Sequence, residues 1–431
     1  MQTHGLLARA RSTLCYAAPP TTRPRRPAFP LTDHTMARPI PNAPTNRVED
    51  EAGMGALLEA LKGESLVAVD TEFHSERSYT PRLMLLQVAT RDQIWLVDPL
   101  AGFDLAPVFD VLAQPGCTVL GHALRNDIEI MALRYGRVPA RVFDTQVAAA
   151  FLGHGLQIGL AGLLRTLLDL RLAKDSQMSD WSRRPLSPAM SGYAADDVRY
   201  LHTVHDMLQE DLVRRDRVRW VDEECAELCV LERYGRDPAE AWQRVSGARR
   251  LRPAELGVLV EVAAERERIA AAQDIVPHFL LPDDRLVMLA RRRPEHMSEL
   301  DGDRRMHHRA LGRHADQWLA AVARGVDAPM ELPRGRPPPR DTHEAVASLM
   351  MLVVARFADE LALAPQLLVK RKDLLRALEG GGGDHETLVA EAGLVGWRAE
   401  LLADPLRRLL RGELLVSCAA DEPDGYRIDL R

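Results

Sequence analysis

Asp70 and Glu72, two carboxylates separated by one residue, close the apolar and β-branched run Leu66-Val67-Ala68-Val69. Such a run predicts a short buried strand. Side chains in a strand alternate between faces, so both acids leave the backbone on one side, within reach of a single cation. That is half of a metal site. Acids at strand ends are also common as solvated turn formers, and the pair alone does not choose between the two readings. Two later stretches add to it. Asp127 stands where the apolar residues 118 to 120 give way to a helical pattern, and Tyr193 and Asp197 lie four apart, on one face of a helix. Four carboxylates and a phenol could therefore converge. Hard oxygen donors without Cys or His favour Mg²⁺ or Mn²⁺ over zinc.

The elements that must hold these groups can be read in order. Residues 51 to 61 predict an amphipathic helix, followed by the strand to Asp70. Residues 83 to 89 and 93 to 97 predict two further strands, which form a meander with the first. A helix over 104–112, a fourth strand over 117–121, a helix over 127–135, a short fifth strand over 138–143 and helices over 145–151 and 159–170 follow. A meander that passes into alternating strands and helices implies an α/β domain, a mixed sheet with helices on its faces. The loop from Lys174 to Pro188 leads into the helix with Tyr193 and Asp197. Lys174, Trp181, Arg183 and Arg184 there either meet a nucleic acid or form a packed Trp with solvated charges.

Together these motifs resemble the ribonuclease D group of 3′-5′ exonucleases, the tyrosine subtype of the Asp-Glu-Asp-Asp class. The matching stretches are Asp70-Thr71-Glu72-Phe73, His122 to Asp127, and Tyr193 followed by Asp197. Phe143-Asp144-Thr145-Gln146 and the segment Ser179 to Leu186 are similar to the family's as well. The resemblance implies a ribonuclease H-like exonuclease domain and two divalent metal ions, Mg²⁺ or Mn²⁺, about 3.5 to 4 Å apart. It implies that Asp70 bridges both ions, that Glu72 and Asp197 complete one, and that Asp127 reaches the other. Tyr193 would orient the attacking water and accept its proton. Phe73 would stack on the terminal base and His122 would contact the scissile region, although an aromatic at a strand end is more often core. Lys174 and Arg183 complete the expected substrate contacts.

Size and composition agree with a multidomain enzyme. The 431 residues exceed one ordinary core. Five cysteines, odd in number and scattered, argue against a disulfide framework and fit a reducing cytoplasm. Cys225 and Cys229 read as core thiols rather than zinc ligands. The net charge of −6 is unusual for a nucleic-acid enzyme, but an exonuclease needs only a local positive funnel. No apolar run reaches the roughly 18 to 20 residues of a membrane span.

Residues 1–47, rich in Arg, Pro and Thr, predict a disordered leader, and 48–233 the exonuclease domain. From Asp237-Pro238 to residue 325, Trp242, Leu251, Leu256, Leu259, Pro277, Phe279, Leu286, Leu289 and Pro294 resemble a helicase-and-RNase-D C-terminal (HRDC) domain. Residues 326–340 read as a Pro/Arg-rich linker, and 341–431 as a second, all-α HRDC-like region. The expected activity is metal-dependent 3′-5′ exoribonuclease action on RNA, with tRNA precursors as substrates by family analogy. No membrane partner and no obligate protein partner are expected, and the chain is expected to be a monomer. Two alternatives stay open: a 3′-5′ DNA exonuclease with the same site, and a non-catalytic nucleic-acid binder.

Overall fold

The protein is represented by a computed structural model, which describes residues 43–172, 179–296, 298–299, 309–331, 341–379, 391–422 and 425–430. Its centre is a six-stranded sheet of order β1-β4-β3-β2-β5-β6. The strands are β1 (Thr45–Val48), β2 (Leu66–His74), β3 (Arg82–Ala89), β4 (Ile94–Val97), β5 (Thr118–Gly121) and β6 (Arg141–Asp144). β2, β3 and β4 form the antiparallel meander, while β5 and β6 join β2 in parallel. Val67, Ala68 and Val69 are buried, as are Leu83 to Ala89, so central strands are apolar on both faces beneath covering helices.

β1 corrects the expected leader boundary. Thr45 to Val48 pair in parallel with Ile94 to Val97 and add a sixth strand where five were expected. Only four residues long, and with Asn and Arg at its centre, β1 carries no hydrophobic period that could announce it. The earlier part of the leader lies outside the described residues.

The C-terminal region corrects a second expectation. One continuous hydrophobic core runs from the sheet through Met350, Val354, Leu368, Trp397, Leu402 and Leu406, so this region packs as one body with the sheet. Trp397 stacks on Trp220 at 5.0 Å and meets Phe151 edge-on at 5.1 Å. Arg217 is buried between two helix ends: it donates to the carbonyl of Phe151 at 2.5 Å and to that of Leu361 at 2.7 Å. The helices Thr145–Phe151 and Asp341–Glu360 point their negative ends at this cation, which compensates a charge that has no carboxylate partner among the described residues. The region is also not all-α, because β7 (Leu414–Cys418) and β8 (Tyr426–Leu430) close it as an antiparallel hairpin.

By contrast, residues 241 to 322 have a core of their own around Trp242, Leu256, Leu259, Leu286 and Trp318. The 20-residue helix Pro253–Ala272 is its axis. Among the described residues no helix is long and apolar enough to cross a membrane. Most of the expected linker, residues 332 to 340, lies outside the described residues, as do four consecutive glycines, Gly380 to Gly383, and the basic stretch Arg304 to His308.

Candidate active site

β2 carries the first two acids. Asp70 pairs with Gln87 and Glu72 with Leu85 across β3, and the register slips between Glu72 and Phe73. This bulge turns the strand end away from regular pairing directly after the second acid. Helix Pro188–Arg199 crosses the same face of the sheet. Ser187 caps it by accepting from Met190 N, and Pro188 fits the first turn, where no amide donor is needed. Met190, Ala194 and Val198 bury one side, which sets Tyr193 and Asp197 over β2.

Single oxygens of Asp70, Glu72 and Asp197 lie within 4.8 Å of one another. Asp127 is not among these three. It sits in the first turn of helix Arg125–Tyr135 and accepts from the Thr71 hydroxyl at 2.5 Å. The neighbouring Asp196 pairs with Arg199 at 2.8 Å, which separates the roles of the two adjacent acids.

The loop that delivers Asp127 explains two of the matched stretches. A Cβ on Gly121 would fall 2.9 Å from the Val69 carbonyl oxygen and closer still to Leu124, so only glycine fits there. Asp144 accepts from the amides of Ala123 and Leu124 at 3.0 and 2.9 Å, and it also caps helix Thr145–Phe151 through Gln146 N. Thr145 donates to the Gly121 carbonyl. Phe143 to Gln146 thus brace the turn from β5 to the Asp127 helix. In the other stretch, Arg184 binds Asp98 and the Met84 carbonyl, and Trp181 is buried 6.1 Å from the Tyr193 ring. Its task is to seat the Tyr193 helix.

Burial is the largest cause of the electrostatic shifts. It pushes Asp70 well above the carboxylate range, with Asp127, Asp197 and Glu72 adding repulsion. Glu72 rises to about 8 by burial and then by Asp197 and Asp127. Asp127 and Asp197 each rise to about 7, again mainly by burial. Acids forced together in this way favour a bound cation, and an all-oxygen set suits a hard one. The donor set therefore fits a divalent metal. The Tyr193 phenol is pushed up by burial and by Asp197, Glu72 and Asp70.

The other expected contacts separate. His122 spends both ring nitrogens on Thr145 Oγ1 and the Ile158 carbonyl, at 2.8 and 2.9 Å, so it braces the turn before Asp127. Burial lowers its pKa. Arg183 is exposed and pairs with Asp180. Phe73 is half-buried at the rim, packed against the core. Lys174 lies outside the described residues. Thr71 and Gln87 escaped the sequence reading. Gln87 is fully buried opposite Asp70, and a polar residue inside an otherwise apolar strand is the signal that marks it.

Comparison with known proteins adds an independent line. The profile of the 3′-5′ exonuclease family matches residues 46–213, and that of the HRDC domain matches 255–322. Ribonuclease D of Granulibacter bethesdensis is 36% identical over 390 residues, covering 88% of this chain and 94% of that protein. The ribonuclease D of Jannaschia sp. is 35% identical over 364 residues, 81% of this chain and 91% of its own length. Among solved structures, RNase D of Escherichia coli, described as an exoribonuclease involved in structured RNA processing, superposes with a TM-score of 0.72 at 26% identity. It covers 85% of this chain and 98% of that one.

Proposed function

The chain belongs to the ribonuclease D family and is a 3′-5′ exoribonuclease, and from that premise we propose how its site works and on what. The observation that carries the reading is the cluster of Asp70, Glu72 and Asp197 at the end of β2, with Asp127 one hydrogen bond behind it. The three clustered carboxylates hold divalent cations, Mg²⁺ or Mn²⁺, and Asp127 contributes from the side of Thr71. A cation bound there supplies Lewis acidity and lowers the pKa of its water.

The residues of the chain do the placing. Helix Pro188–Arg199 sets the Tyr193 hydroxyl beside the cluster. With its pKa raised above the usual value near 10, the phenol keeps its proton at neutral pH. Tyr193 therefore orients water or phosphate oxygen by donating a hydrogen bond, and the proton-acceptor role implied by the resemblance has no support from its surroundings. Water adds to phosphorus, the 3′ oxygen of the penultimate nucleotide leaves and takes a proton, and a nucleoside 5′-monophosphate is released.

The RNA substrates are precursors with 3′ extensions, tRNA precursors first among them, and the enzyme acts in the cytoplasm as a monomer. A time course on matched 3′-tailed RNA and DNA with Mg²⁺ or Mn²⁺, beside an EDTA control, tests this reading. Stepwise shortening of the RNA alone supports it. Preference for DNA replaces the substrate class, and binding without cleavage of either replaces the enzyme with a binder.

A further inference from the structure

We propose that the junction between the exonuclease body and the HRDC domain is a track for the RNA backbone, held in register by Tyr79. The proposal deepens the exonuclease reading by placing the RNA upstream of the 3′ end.

Residues 75 to 81 leave the catalytic strand β2 directly after the bulge at Glu72 and Phe73 and return as β3. This rim loop is fastened across the junction. The Tyr79 hydroxyl donates to Glu267 Oε1 at 3.0 Å, and Thr80 N donates to Asp274 Oδ1 at 3.1 Å. Glu267 is only 2% exposed, on the long axial helix, and Arg244 pairs with it at 3.2 Å. The Tyr79 ring packs against the HRDC core. On the exonuclease side, Arg134 donates to the Pro81 carbonyl at 2.6 Å.

Arginines surround the fastening. Arg236 lies over the Tyr79 ring at 5.0 Å, Arg77 is two residues before it, and Arg82 opens β3. All three are exposed, as is Arg134, and none of the four makes an ion pair among the described residues. Four acids share the seam, and one of them, Glu267, is paired with Arg244. Asp237 and Asp274 spend oxygens on backbone amides, and Glu76 is exposed. Those three keep their charge, so the four arginines outnumber them by one, and the strip beside the end of β2 is locally cationic in a chain whose net charge is −6. Phosphates spaced along a single strand suit such a strip, and arginine meets them bidentately. Tyr79 is a positioning residue here. It keeps Arg77 and Arg82, on one domain, aligned with Arg236, on the segment that leads into the other.

The full chain would be tested in two assays. Anisotropy of a twelve-nucleotide RNA in EDTA reads the track without the metal site, and hydrolysis of a trinucleotide in Mg²⁺ reads the catalytic centre alone. For the double variant Arg77→Ala, Arg236→Ala, long-RNA binding should weaken about tenfold and the slope of log K against log salt should shrink by about 1.4. Trinucleotide turnover should stay within about twofold of wild type. Tyr79→Phe should weaken the long RNA alone and leave the salt slope unchanged, because no charge is lost. Unchanged long-RNA binding, or a parallel fall in trinucleotide turnover, would overturn the track. A wild-type enzyme that fails to cleave the trinucleotide would instead overturn the catalytic reading, and the anisotropy would still judge the track.

Discussion

Thr71 and Asp127, 56 positions apart in sequence, meet hydroxyl to carboxylate at 2.5 Å. Thr71 lies between Asp70 and Glu72 on β2, so the strand that supplies two acids also fixes the third through the residue between them. Replacing the hydroxyl with a methyl group in Thr71→Val should leave the fold intact and free the Asp127 carboxylate. Loss of a group that orients a metal-site residue typically costs about 10- to 100-fold in metal affinity. Mg²⁺ titrations of activity should show this shift in midpoint, with a smaller loss at saturating metal.

Tyr193 and Asp70 should differ in kind. Tyr193→Phe removes one donated hydrogen bond and should lower kcat by about 10²-fold, with metal dependence retained. Asp70→Asn removes the charge at the centre of the cluster and should be inactive at any Mg²⁺ concentration. Single-turnover rates on one RNA compare them, and equal residual rates would refute this division of labour.

The raised carboxylates predict an inverted pH dependence of stability. An acid whose folded pKa exceeds its unfolded value of about 4 binds more protons when folded, so stability falls as pH rises between the two values. For Glu72, Asp127 and Asp197 that window runs from about 4 to about 7 or 8. In EDTA, Tm should therefore decline from pH 5 to pH 8. Mg²⁺ should raise Tm more at pH 8 than at pH 5, because it binds the ionised cluster.

The C-terminal region should behave as core rather than as a detachable module. Trp397 is 1% exposed, stacks on Trp220, and has its indole and backbone N–H groups bound to Glu224 and Glu223. Trp397→Ala should cost about 3 to 5 kcal/mol by denaturant unfolding. Truncation before residue 341 should give insoluble or unstable protein, so such a truncation does not isolate a role in substrate handling.

The acids that cluster at the end of β2 were legible because their signals are local. Asp70 and Glu72 share a strand face by the period of two, and Tyr193 and Asp197 share a helix face by the spacing of four. What escaped depends on distant pairing. β1 is a strand only because β4 lies beside it, and its own four residues carry no pattern. Phe143 to Gln146 looked like a motif without a task until Asp144 was seen to hold the amides before Asp127. His122 stood in a catalytic stretch, yet both its nitrogens are engaged by Thr145 and Ile158, contacts that sequence proximity to Asp127 could not reveal. Similarly, a helical region over residues 341–431 was expected, but not that Trp397 packs over Phe151 and Trp220.

The most direct test of the central claim is a time course on 5′-labelled RNA, run for wild type and Asp70→Asn with Mg²⁺ and with EDTA. The account predicts a ladder that shortens one nucleotide at a time from the 3′ end for wild type in Mg²⁺ alone. Shortening that persists in EDTA, or in Asp70→Asn at the wild-type rate, would contradict a metal-dependent site built on the carboxylates of β2.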